Sequence, residues 1–230
     1  MSHFDDLTAD DGFSFPVYVA EPTGQAKGAV LVLQEIFGVN THIRAVTDGF
    51  AAQGYLALAP STFHRVRPGV NLGYSSEDIA VGVALKAQVE ALPASGVLQD
   101  IQATIQHAKT CGGSVGVVGY CWGGLLAWRS ACLLEGLSAA VSYYGGGMTQ
   151  AAEIARQPTV PVLTHFAQND HSIPIEGVHT FSAAHPGLEL HIYDASHGFN
   201  CDHRAAYHAA SAMLARERTL AFFDRLLACP

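Results

Sequence analysis

The residues best placed to do chemistry are Gly119-Tyr120-Cys121-Trp122-Gly123, a cysteine with a glycine two positions away on either side. The apolar run 115–119 leads into them and a helical pattern over 123–135 follows, giving strand, tight turn, helix. This is the nucleophile-elbow pattern G-x-S-x-G with cysteine in the serine position. The spacing has a physical basis. A nucleophile at the apex of a strained turn needs neighbours without side chains, because a Cβ at the flanking positions would strike adjacent backbone. The sulfur then projects above the sheet, and the helix N-terminus behind it favours both a thiolate and a developing oxyanion. A free cysteine is more often a small buried hydrophobe, so the motif needs support from elsewhere in the chain.

That support comes downstream. An activated nucleophile requires a base, and the base requires an orienting acid. On sheets that carry such an elbow, acid and then histidine follow in later loops, each after a strand. The apolar run 161–166 is followed by Gln168-Asn169-Asp170, and the run 188–193 by Ser196-His197-Gly198-Phe199. Asp170 and His197 therefore hold the two stations in the required order. Three other histidines compete: His171 sits at the acid's station, His203 is read at the start of the last helix, and His165 lies inside a strand as a core residue.

The elements that must position these groups follow from periodicity. Residues 13–20 alternate like an edge strand, with Pro16 arguing against a central position. Residues 28–33 and 55–59 are continuous apolar runs, the pattern of strands buried on both faces. Between them 40–53 reads as a helix ending at Gly54. The strand-then-helix rhythm recurs with strands at 115–119, 139–143, 161–166 and 188–193 and helices near 123–135, 149–156, 176–184 and 203–227. The stretch 75–110 is helical and splits at Pro93. Alternating β and α elements imply an α/β fold, a mostly parallel central sheet with helices on both faces. No linker or composition shift divides the chain, so residues 1–230 are read as one domain.

Composition narrows the function. The chain is 49% hydrophobic and 14% charged, which suits a large buried core. A formal charge of −8 lacks the basic footprint a nucleic-acid binder needs. No apolar run reaches the ~18 residues of a membrane span, and the acidic opening MSHFDDLTADDG does not read as a secretory signal. Five cysteines without CxxC spacing point to reduced thiols and a cytoplasmic setting. His179, His185, His191, His197 and His203 fall at regular intervals, but the spacing matches no metal motif, so no metal is expected.

Taken together, GYCWGG, Gln34-Glu35-Ile36-Phe37-Gly38, the frame from Pro60 to Gly69, Tyr143-Tyr144-Gly145, Gln168-Asn169-Asp170, Ser196-His197-Gly198-Phe199 and Glu217-Arg218-Thr219-Leu220 resemble the dienelactone hydrolase (carboxymethylenebutenolidase) family. The resemblance covers nearly the whole chain and implies a single-domain α/β-hydrolase fold. It implies Cys121 as nucleophile, His197 as base and Asp170 as its partner. Glu35 would contact the resting thiol and help convert it to thiolate, and the backbone N–H groups of Ile36 and Trp122 would form the oxyanion hole. A lactone bearing a carboxylate needs a cationic clamp, and Arg65 falls on the family's substrate-binding arginine, with Arg67 as an alternative and His64 adding donors. The second arginine expected four residues after the histidine is replaced by Cys201, and Arg204 lies three residues further on. No cofactor is implied. The resulting expectation is a monomeric cysteine hydrolase that opens an enol-lactone to maleylacetate. The rivals are a carboxylesterase or thioesterase for uncharged acyl groups, and a thiol redox protein.

Overall fold

The apolar runs become the middle of one eight-stranded sheet. The computed structural model describes residues 1–93 and 96–227. In chain order the elements are β1 (Ser2–Thr8), β2 (Ser14–Ala20), β3 (Ala29–Leu33), α1 (Thr41–Ala51), β4 (Leu56–Pro60), α2 (Ser76–Glu90), α3 (Gly96–Gly112) and β5 (Val115–Tyr120). They continue with α4 (Trp122–Leu133), β6 (Ala139–Tyr143), α5 (Ala151–Ile154), β7 (Val162–Ala167), α6 (Ile175–Ala184), β8 (Glu189–Tyr193) and α7 (Ala209–Leu227). The spatial order is β1-β2-β4-β3-β5-β6-β7-β8, antiparallel as far as the β2–β4 pairing and parallel from there on.

Every residue of β3, β4, β5, β6 and β7 is buried, which is why their sequences run apolar without alternation. Each buried Val or Leu there contributes about 1.5–3 kcal/mol. The two faces can be told apart on β5. A side chain at Gly116 would meet Phe223 of α7, whereas one at Gly119 would meet the backbone of α4. Positions an odd number apart on a strand point to opposite faces, so α7 and α4 cover opposite sides. Phe50 of α1 packs edge-on to Phe223, which puts α1 with α7. Asn40 caps α1 through its side chain, and Ser75 with Asp78 closes a capping box on α2. Among the described residues no helix is long and apolar enough to cross a membrane.

Two expectations need correction, and one strand was not foreseen. The segment 13–20 is not the sheet edge, because β1 pairs along the whole of β2. Pro16 is tolerated there because the ladder to β4 begins only at Val17. β1 was invisible to periodicity because nearly all of its residues are exposed. The final helix starts at Ala209, so His203 and Arg204 lie in turns that precede it.

Candidate active site

The loops that leave the C-terminal ends of β3, β5, β7 and β8 bring Glu35, Cys121, Asp170 and His197 to one edge of the sheet. Cys121 occupies the turn between β5 and α4 with φ 55° and ψ −117°, a conformation L-residues rarely adopt. The glycines of the motif are explained by space. A methyl group on Gly119 would lie 1.9 Å from the Gly123 carbonyl oxygen, and one on Gly123 would lie 2.3 Å from that of Leu33. Strand, turn and helix are thus packed backbone to backbone, and the Cys121 N–H is fixed on the Tyr143 carbonyl at 3.0 Å.

His197 Nδ1–H donates to Asp170 Oδ2 at 2.7 Å, and its Nε2 lies 3.1 Å from Cys121 Sγ. The other oxygen of Asp170 accepts from the backbone N–H groups of Ser172 and Ile173, which holds the carboxylate in place. Burial alone would draw the His197 pKa down, but the hydrogen bonds to Asp170 and Cys121 outweigh it and lift the value to about 10. The imidazolium form is therefore favoured beside the sulfur, as suits a thiolate nucleophile. Of the competing histidines, His165 is a core residue hydrogen-bonded to Tyr193 and Thr219, while His171 is exposed.

Cys121, His197, Ile36 and Trp122 line one cavity of about 490 Å³. Trp122 is the first residue of α4, where backbone N–H groups have no intrahelical acceptor. The Ile36 N–H donates to no backbone acceptor among the described residues. Ile36 and Trp122 therefore border the cavity beside Cys121 with N–H groups that no backbone acceptor among the described residues takes up. The Trp122 ring stacks on Phe63 at 5.0 Å and its Nε1–H donates to Glu90, which fixes that wall.

Glu35 is buried, but it meets Arg204 and not the thiol: Arg204 Nη1 donates to Oε1 at 3.2 Å, while Oε2 has no partner among the described residues. Arg204 also lines the cavity. Arg65 does not. Its guanidinium is held by Asp100 at 2.7 Å and by Asp11 at 2.7 Å, and it borders a separate cavity with Leu92 and Pro93. Two carboxylates engage its Nε, Nη1 and Nη2, and it does not line the catalytic cavity, so the structure does not put Arg65 where a substrate clamp was expected. Arg67 is exposed and borders no part of the catalytic cavity described by its lining residues. The residues that sequence reasoning missed are on α2, where Ile79, Val83 and Lys86 form the opposite wall. The helix has no amphipathic pattern that would have marked them in the sequence.

The dienelactone hydrolase family profile matches residues 15–227. An Escherichia coli (strain K12) protein named "Putative carboxymethylenebutenolidase" is 36% identical over 233 residues, spanning 93% of this chain and 83% of its own. The carboxymethylenebutenolidase of Pseudomonas sp. (strain P51) is 32% identical over 230 residues, spanning 96% and 94%. The crystal structure of a "Putative Dienelactone Hydrolase" from Klebsiella pneumoniae superposes with a TM-score of 0.83 at 30% identity, covering 98% of each chain. An α/β sheet with a cysteine elbow and a family match over nearly its full length make this chain a member of the dienelactone hydrolase family, a carboxylic-ester hydrolase.

Proposed function

We propose that the chain is a cysteine-dependent hydrolase that opens an enol-lactone carrying a carboxylate, of the dienelactone type, through an acyl-enzyme. The observation that carries the reading is the continuous chain Asp170–His197–Cys121, at 2.7 and 3.1 Å, on the wall of the cavity. Thiolate Cys121 attacks the lactone carbonyl, and the N–H groups of Ile36 and Trp122 receive the oxyanion. Collapse breaks the ring C–O bond. The departing enolate oxygen takes the proton from the His197 imidazolium, and the enol product end tautomerises to the ketone. Neutral His197 then removes a proton from water, the hydroxide attacks the thioester, and the new carboxylic acid leaves and gives its proton to solvent, with Cys121 again a thiolate beside the His197 imidazolium. Arg204, whose guanidinium borders the cavity, is assigned to the substrate carboxylate. The test is the loss of dienelactone ultraviolet absorbance, with Cys121→Ala as control. Turnover by wild type alone supports the reading, and turnover by the variant overturns it.

A second reading has its own observation. Arg65 is removed from the site, and Ile79 and Val83 present apolar surface to the cavity. That wall suits an uncharged ester or thioester. A sample that cleaves neutral activated esters and leaves the lactone intact favours this reading and keeps the triad.

A further inference from the structure

Glu35 also belongs to a second cluster, whose other members, His42 and Cys201, have no part in the proposed reaction. Glu35, His42 and Cys201 each bring a ligand atom within 4.8 Å of the others, and all three are buried. They come from the loop after β3, the first turn of α1 and the segment between β8 and α7, so no spacing motif joins them. Two atoms in this cluster stand out. Glu35 Oε2 and His42 Nε2 are both buried and have no hydrogen-bond partner among the described residues. Leaving a buried polar atom unpaired costs about 1–3 kcal/mol, so two of them in one cluster call for a partner.

The remaining atoms of the same groups are already engaged in the manner of metal ligands. His42 Nδ1 is 3.1 Å from Asp202 Oδ1, the carboxylate–histidine pairing that fixes the tautomer and leaves Nε2 free to ligate. Glu35 Oε1 stays on Arg204 while Oε2 is free. One imidazole nitrogen, one thiol sulfur and one carboxylate oxygen form a donor set for a borderline-soft divalent cation. Zinc bonds of about 2.0–2.3 Å would require the donors to close by about 1 Å, shared among three side chains. His42 also borders the surface. His42 and His203 line an outer cavity of about 280 Å³, and His42, Asp202 and His203 form a second triple within 4.8 Å at its edge.

We propose that Glu35, His42 and Cys201 form a binding site for a divalent cation of the zinc class, with Asp202 as the outer carboxylate that orients His42. Binding exchanges the Cys201 thiol proton for the metal, the proton leaving to solvent. The site does not depend on whether Cys121 is the nucleophile.

Cobalt(II) is the probe, added anaerobically to the Cys121→Ala protein so that the pocket thiol cannot contribute. The expected result is one equivalent bound, with a thiolate-to-cobalt charge-transfer band and the intense visible bands of tetrahedral cobalt, both bleached by zinc. Cys201→Ser in that background should abolish the charge-transfer band. Asp202→Asn changes an exposed side chain and should weaken binding about 10–100-fold with unchanged circular dichroism. No charge-transfer band at millimolar cobalt overturns the proposal. So does a band that survives Cys201→Ser, which would move the metal to the exposed Cys111–His107 pair. If Cys201→Ser fails to fold, an Asp202→Asn protein with unaltered affinity overturns it equally.

Discussion

Arg204 and Glu35 meet at 3.2 Å across 169 residues of chain, tying the loop after β3 to the turns that precede α7. The contact orders two walls of the cavity at once, because Ile36, next to Glu35, and Arg204 itself both line it. Burial opposes the charge on Arg204, but the Glu35 carboxylate more than compensates and holds its pKa above the ordinary arginine value. A charged arginine with one donor spent on Glu35 and others toward the cavity is suited to a planar carboxylate.

Arg204→Lys keeps the charge beside Glu35 and removes the planar fork. With an anionic lactone, KM is expected to rise about tenfold, the loss of roughly 1.4 kcal/mol for one charge-assisted contact. With a neutral activated ester, kcat/KM should stay within about twofold. Equal losses on both substrates would show that Arg204 positions the loop and does not read the substrate.

Arg65 predicts the opposite pattern. Asp100 is fully buried, and burial lifts its pKa to about 6 even against the pull of Arg65. Arg65→Ala removes the main partner of a buried carboxylate, for which about 3–5 kcal/mol of stability is the usual cost. Denaturant unfolding should register that loss, and KM for the lactone should not change. A stable Arg65→Ala protein with a raised KM would restore Arg65 to the substrate.

The raised His197 pKa has a consequence for stability. The unfolded histidine titrates near 6.5 and the folded one at about 10. Between these values the native state holds a proton that the unfolded chain has lost. The stabilisation is thus complete below about pH 6.5 and declines as pH rises toward 10, by at most about 1.4 kcal/mol per pH unit. Urea unfolding of wild type and His197→Gln across this range should show the wild type losing stability relative to the variant. Parallel curves would mean that His197 is neutral in the folded protein.

The parts of this site that were legible in the sequence are those fixed by one strand and the loop after it. Cys121, Asp170 and His197 each follow an apolar run directly, so strand order alone brings them to one edge. The ion pairs of Arg65 were not legible because its partners, Asp11 and Asp100, lie in the turn before β2 and on α3, where periodicity carries no contact information. Arg204 was legible only as a substitute for the missing second arginine, and its pairing with Glu35 was not legible, since an irregular turn sets where that side chain points. β1 was lost for a different reason: an exposed edge strand has no buried face and therefore no alternation.

Gly123 joins the elbow to the oxyanion loop and yields the sharpest test of the site's packing. A methyl group there would stand 2.3 Å from the Leu33 carbonyl oxygen and 2.5 Å from that of Gln34, so the residues just before Glu35 and Ile36 must move. The obstacle is backbone on both sides and cannot rotate away as a side chain would. A shift of about 1 Å in the Ile36 N–H is enough to cost ~100-fold in rate, because the donor must meet the oxyanion at hydrogen-bond distance. Gly123→Ala is therefore expected to lower kcat about 100-fold or more while Cys121 still reacts with a small thiol reagent such as iodoacetamide. That combination would show the nucleophile intact and the oxyanion loop displaced. Full activity in a folded Gly123→Ala protein would mean that the loop after β3 is not held against α4 during the reaction, and the assignment of Ile36 to the oxyanion hole would fall.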